Sequence, residues 1–133
     1  MSEKNVQLLQ DMYAAFLRGD INTILANVTE DVTWGTPTVA QEVPWYRMRN
    51  GAAGVGDFFA TLDREVEFTD FSPKLFAASG DDVIVFVDIA YKLKKNGKGA
   101  STGSMHRFNV RDGKVSSFRA FEDTAGVRDA WNG

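Results

Sequence analysis

Chemistry in this chain starts from its single histidine. His106 sits in Gly103-Ser-Met-His-Arg-Phe-Asn-Val110, whose alternation predicts a β-strand with Ser104, His106, Phe108 and Val110 on one face. Imidazole is the side chain whose ordinary titration falls between pH 5 and 8. Among apolar neighbours it is either a hydrogen-bonded core residue or the acid–base group of a pocket. An unpaired buried imidazole costs about 1–3 kcal/mol, so a partner or water must meet it. An Arg111-Asp-Gly-Lys114 turn leads into a second alternating run ending at Asp123. A two-residue Asp112-Gly113 loop sets Arg119, Phe121 and Asp123 on the face of His106. A three-residue loop sets Phe118, Ala120 and Glu122 there instead. Both loops are common, and a one-residue slip exchanges the faces, so alternation alone leaves both open. Glu122 inside an apolar pocket is suited to proton transfer; at an open mouth it is an ordinary surface carboxylate. Asp123 has a plainer role, because it precedes a short helical run and is placed to cap it.

Other chemistries lack their residues. With one histidine and scattered carboxylates there is no metal-ligand spacing, and no cysteine is present for thiol chemistry or disulfides. No Gly-x-Ser-x-Gly elbow occurs. Gly51-Ala-Ala-Gly-Val-Gly56 resembles a phosphate loop only superficially: it follows no strand and lacks the Gly-Lys-Ser/Thr ending. No cofactor is expected. A net charge of −3 argues against a nucleic-acid partner. The polar start and the lack of a long apolar run predict a cytoplasmic protein with no membrane partner.

The elements that must position His106 follow from periodicity. The 133 residues fit one domain, 1–133. Val6, Leu9, Tyr13, Phe16 and Leu17, widened by Leu8 and Met12, mark a first helix, with Ser2 as its cap and Gly19 as its stop. Asp20 caps a short second helix bearing Ile21, Ile24, Leu25 and Val28. Val32-Thr-Trp34 reads as a strand. Residues 36–50 are irregular, and Trp45 and Tyr46 beside Pro44 either rim a pocket or pack over the core. Asn50-Gly51 opens a third helix with Val55, Phe58, Phe59 and Leu62 on one face. Four strands follow, over 65–78, 82–95, 98–110 and 114–123, punctuated by Gly80-Asp81, Asn96-Gly97 and Asp112-Gly113. A last helix spans 124–131. Helices first and an antiparallel meander afterwards make an α+β domain.

The order Tyr13-Ala-Ala-Phe-Leu-Arg-Gly-Asp20, Thr29-Glu-Asp-Val-Thr-Trp34, Arg49-Asn-Gly51, His106 to Lys114 and Phe118-Arg-Ala-Phe-Glu-Asp-Thr124 resembles a SnoaL-like domain of the nuclear transport factor 2-like superfamily. That superfamily also contains ketosteroid isomerases, limonene epoxide hydrolases and polyketide cyclases. The resemblance implies a cone-shaped curved antiparallel sheet around the N-terminal helices, open at one end. It implies a pocket for an apolar or aromatic small molecule, and a homodimer through the outer sheet face. It selects Phe118, Ala120 and Glu122 as the inner face of the last strand. Val87, Ile89 and Tyr91 then lie inside with Ser104 and His106, and Trp34 and Thr36 are pocket residues at the first strand. Met12 and Phe16 from the first helix and Phe58 from the third complete the expected ligand contacts. The expected acid–base groups are His106, Glu122 and Tyr91.

The departures matter as much. The isomerase tyrosine and two aspartates match Met12, Thr36 and His106; the epoxide hydrolase triad matches Val87, Ile89 and Ala120; and the cyclase aspartate also matches Ala120. Two readings from different classes therefore stand side by side. One is a cofactor-independent isomerase, cyclase or dehydratase acting on a carbonyl compound. The other is a non-catalytic binding domain, or a dimeric interaction module with a vestigial pocket. Ile84 and Phe86, opposite Val87 and Ile89, predict an apolar outer face.

Overall fold

The computed structural model describes residues 2–133, the side chain of Ser2 excepted. In chain order it comprises helices α1 (Ser2–Leu17) and α2 (Ile21–Leu25), strand β1 (Val28–Gly35), a 3-10 turn (Pro44–Tyr46), strand β2 (Arg49–Asn50) and helix α3 (Gly51–Glu65). Strands β3 (Val66–Ser79), β4 (Asp82–Leu93), β5 (Gly99–Arg111) and β6 (Lys114–Phe121) follow, and helix α4 (Thr124–Asn132) closes the chain.

Local chemistry explains the boundaries. Helix α1 ends where Gly19 turns left-handed at φ 76°. Its amide reaches the Phe16 carbonyl and that of Asp20 reaches Ala15, which pairs two of the helix's last carbonyls. Asp20 then caps α2 by accepting from the Thr23 amide and hydroxyl. Asp123 caps α4 by accepting from the Gly126 amide at 2.9 Å. The cap read for Ser2 falls on a side chain outside the described ones. Leu17, counted in the buried stripe, is 57% exposed instead, while its neighbour Phe16 is the one that packs on Phe68 and Phe71 of β3.

The fold is α+β, with one curved six-stranded sheet in the order β2-β1-β6-β5-β4-β3. The four long strands are antiparallel neighbours, as their turns predict. The first strand differs: β1 runs parallel to β6, pairing Trp34 with Phe118, so the sheet is mixed. Nothing near β1 in sequence announces a partner more than eighty residues away. Bulges within β3 bend the sheet, with Pro73 on this edge strand where a missing amide is tolerated. The sheet packs α1 against β3 and β4, and α3 against β1 and β2. Alternate residues of β4, Val83, Val85 and Val87, are fully buried, each burial contributing roughly 1.5–3 kcal/mol.

The register at β5–β6 has an unexpected cause. The loop has two residues, Asp112 and Gly113, both at positive φ (53° and 77°), joining the pair Arg111–Lys114. That loop alone would set Arg119 beside His106. A bulge follows: Val110 pairs with Val115, but Asn109 pairs with Ser117, leaving Ser116 unpaired. The Ser116 hydroxyl donates to Asn109 Oδ1 at 2.6 Å. The extra residue restores the other face, so His106 stands opposite Ala120 and Phe108 opposite Phe118.

Candidate active site

The inner face of the sheet, α1, α3 and the Pro44–Tyr46 turn enclose a cavity of about 100 Å3. Its walls are mostly aromatic, and its polar groups are few enough to follow individually.

His106 is 7% exposed and lies at the centre of the inner face. Its Nδ1 is 2.5 Å from the hydroxyl of Tyr13, which α1 delivers from the opposite wall. Burial drives the imidazole pKa down to about 3 and the Tyr13 hydroxyl well above its usual value. At neutral pH both groups are therefore uncharged. The tyrosine donates, Nδ1 accepts, and the ring proton sits on Nε2. Phe118 packs edge-on to the imidazole at 5.1 Å, and Phe108 lies at 6.3 Å.

Glu122 follows the end of β6, half-buried at the cavity wall. Tyr46 donates to Oε2 and Ser104 to Oε1, each at 2.7 Å. A carboxylate accepting through both oxygens is held in one orientation while keeping a lone pair on each oxygen free. Since Met105 pairs with Phe121, Ser104 faces Glu122 across the strands. His106, two residues along β5, is its diagonal neighbour, roughly 7–8 Å away between backbones. The Tyr46 and Tyr91 hydroxyls are both raised beyond the usual tyrosine range, by burial first and by the charge of Glu122 second.

The irregular segment does both things offered for it. Trp45 and Tyr46 are buried, at 5% and 1% exposure, and both line the cavity. Arg49 holds the turn in place by donating to the Pro44 and Arg47 carbonyls, the Thr61 hydroxyl and the Asp57 carboxylate. From the other side, α4 clips it through Arg128 to Glu42 and the edge-to-face pair Trp45–Trp131 at 5.6 Å. Gly35 lets it approach: a Cβ there would lie 2.9 Å from the Met48 Cα and 3.0 Å from the Arg47 carbonyl oxygen.

Most residues expected at the pocket line this cavity: Met12, Phe16, Trp34, Thr36, Phe58, Ile89, Tyr91, His106, Phe118, Ala120 and Glu122. Val87 and Ser104 do not. Both are fully buried on the inner face; they are adjacent there as a cross-strand pair, and Ser104 reaches the site only through Glu122. Trp34 and Phe118, both expected inside the pocket, stack on each other at 4.5 Å, with Phe58 5.9 Å from Trp34. The sequence reading misses Tyr13 as a site residue, and it offers Tyr46 as pocket rim or core packing without its bond to Glu122. Tyr13 directly follows Met12, and both face the cavity because the sheet curls around α1. Tyr46 carried no periodic signal, coming from an irregular segment.

Residues 9–118 match the model of the SnoaL-like domain. Among solved structures, an NTF2-like protein of Burkholderia xenovorans has a TM-score of 0.88 at 28% identity, over 98% of this chain and 97% of that one. An NTF2-like protein of Burkholderia pseudomallei gives 0.86 at 25% identity over 98% of each chain. TerC, co-crystallised with polyporic acid, gives 0.84 at 25% identity over 98% of this chain and 99% of that one. No curated protein sequence matches the chain.

Proposed function

The chain belongs to the SnoaL-like domain family, and we propose that its cavity binds an aromatic carbonyl compound and moves a proton on it without a cofactor, as an isomerase, cyclase or dehydratase does. The observation that carries this reading is Glu122. It is a carboxylate fixed by two hydroxyl donors at the wall of an otherwise apolar cavity, diagonal to a histidine whose Nδ1 is already engaged. With Nδ1 occupied and the imidazole neutral, His106 serves as a donor through Nε2–H, polarising a carbonyl oxygen and stabilising the enolate that develops. Glu122 takes the proton from the adjacent carbon and returns it elsewhere. Burial makes the Tyr91 hydroxyl a weaker acid than an ordinary tyrosine, which favours Glu122 over Tyr91 as the proton carrier. The likeness to TerC, co-crystallised with polyporic acid, supports a small organic ligand. The cysteine-free composition fits a cytoplasmic setting.

Deuterium exchange at the α-carbon of 2-tetralone in D2O, followed by proton NMR, tests the chemistry. The wild-type protein should accelerate exchange over buffer, and Glu122→Gln should remove about a hundredfold or more of that acceleration. Unchanged exchange in both Glu122→Gln and His106→Ala refutes the assignment. The opposing reading, a non-catalytic binding domain, is favoured by Thr36 and Ala120 standing where related enzymes carry aspartates. It predicts binding of the ketone with no exchange above buffer.

We also propose a homodimer through the outer sheet face. Leu75, Phe86, Met105 and Phe121 are successive cross-strand partners on four strands. They form one apolar row, with Leu75 60%, Met105 42% and Phe121 48% exposed. The Phe86 ring lies over Gly103, 3.1 Å from where a Cβ would stand. A row of this kind on a sheet is self-complementary about a two-fold axis. Sedimentation should show a dimer that Phe121→Arg dissociates; a concentration-independent monomer refutes it.

A further inference from the structure

The cavity of about 100 Å3 is smaller than the site that the proposed function needs. Pockets that hold organic ligands run to about 300–1,000 Å3, so one wall must yield for a ligand to enter. The walls differ in what holds them.

The sheet wall is fixed by its strand ladder and by the fully buried Val83, Val85 and Val87. The Pro44–Tyr46 turn is held by the donations from Arg49, by Tyr46 on Glu122 and by the Arg128–Glu42 clip. Lifting it would break several hydrogen bonds at about 0.5–1.5 kcal/mol each. The third wall has no hydrogen bond to break. It is a layer of apolar side chains: Phe16 of α1, Phe59 and Leu62 of α3, and Phe68 of β3. The Phe16 ring lies 5.7 Å from that of Phe59 and 5.9 Å from that of Phe68.

Outside this layer is a groove of about 690 Å3 between the α1–α2 junction, α3 and the start of β3. The same four residues line the cavity and the groove, so a single layer divides the two spaces. Its three rings are only partly buried. Gly19, Gly56 and Ala60 also line the groove, and they bring little side chain to fill it. Gly56 and Ala60 stand one turn apart on the same face of α3, and a Cβ at Gly19 would meet nothing within 4 Å. A phenyl ring leaving the layer therefore has room to go. It gets there by side-chain rotation, at the cost of aromatic contacts of about 0.5–1.5 kcal/mol each.

Resting on the small-molecule binding in the proposed function, we infer that the Phe16–Phe59–Phe68 layer is the gate of the cavity and that the groove outside it is the entrance. The rings swing into the groove, the two spaces join, and the ligand passes between α1, α3 and β3 without disturbing the turn. Gly56 and Ala60 set the rate of passage by the room they leave. His106 and Glu122 take no part in entry.

Stopped-flow fluorescence with prodan tests the gate. Prodan is a carbonyl-bearing naphthalene whose emission shifts to the blue out of water, so the traces give its association and dissociation rates. Ala60 is exposed, and Ala60→Phe fills the groove from the surface. It should slow association about fivefold or more, the factor one aromatic contact is worth in a barrier. Phe59→Ala removes a ring of the gate and should speed association and dissociation alike, each about fivefold or more. Ala60→Phe stands as the test should Phe59→Ala fail to fold. Association unchanged in both variants overturns the gate while leaving small-molecule binding intact, even where affinity falls. Faster association in Glu42→Gln alone does the same, because it puts the entrance under the turn. No binding of prodan by any of these proteins overturns the gate and the proposed function together. Loss of proton exchange on 2-tetralone with the rate changes kept removes only the proposed chemistry.

Discussion

Acid should unfold this protein through one residue before it reaches the carboxylates. His106 is held neutral by burial, its pKa down at about 3 against about 6.5 in an unfolded chain. The unfolded state therefore binds a proton below pH 6.5 that the folded state refuses. Stability is complete above pH 6.5 and is lost progressively as pH falls toward 3. At pH 5 the loss is about 1.5 pH units multiplied by about 1.36 kcal/mol, or about 2 kcal/mol. That corresponds to roughly 6–10 °C in Tm for a domain of this size. The carboxylates held low by donors, Asp20, Asp31, Glu42 and Asp82, have the opposite sign: they stabilise above their unfolded pKa near 4 and lose this only below it. The window from pH 7 to pH 5 thus belongs to His106. Urea unfolding followed by tryptophan fluorescence, on wild type and His106→Gln at both pH values, isolates it. Gln keeps an acceptor for the Tyr13 hydroxyl and removes the titration. The wild type should lose about 2 kcal/mol more than the variant between pH 7 and 5. A difference under about 0.5 kcal/mol would mean that the imidazole is protonated in the folded protein, and the neutral, Nε2–H donor assigned to it would fall.

Three further perturbations follow from named contacts. Gly35→Ala drives a methyl group into the backbone of residues 47 and 48; it should cost about 1–3 kcal/mol in urea unfolding and alter the near-ultraviolet circular dichroism of Trp45 and Tyr46. Tyr91→Phe removes a buried hydroxyl that has no partner among the described residues, so the ligand-free protein should gain about 1 kcal/mol, seen as a higher Tm. Asp123→Ala removes the cap of α4, which should cost about 1 kcal/mol and speed amide hydrogen exchange across residues 124–132.

Short-range patterns proved readable and long-range choices did not. The alternation of Gly103–Val110, the apolar faces of α1 and α3 and the glycine-bearing turns all follow from periods and φ preferences written within a few residues. The parallel pairing of β1 with β6 depends on chain segments that meet only after the meander has closed. At the β5–β6 hairpin, a two-residue loop and a one-residue bulge cancel, so counting from the turn gives the wrong face; family likeness reached the right face without supplying the cause. Serine at 116 is unremarkable in a strand, and its hydrogen bond to Asn109 exists only once the bulge has formed. The site divides the same way. His106 stands out from strand alternation and Glu122 from the family likeness that selects its face, whereas Tyr13 requires knowing how far the sheet wraps α1, and the bond from Tyr46 to Glu122 requires knowing how an irregular segment folds inward.

The Tyr13–His106 contact also gives the protein a spectroscopic address. Because the chain contains one histidine, feeding it 15N-labelled histidine yields a single imidazole, with no assignment to make and no background from the rest of the molecule. Its Nδ1 signal reports the tyrosine, since that nitrogen faces α1; its Nε2 signal reports whatever enters the cavity. A library of compounds can then be sorted, in one spectrum each, into those that reach the centre of the site and those that stop at its rim.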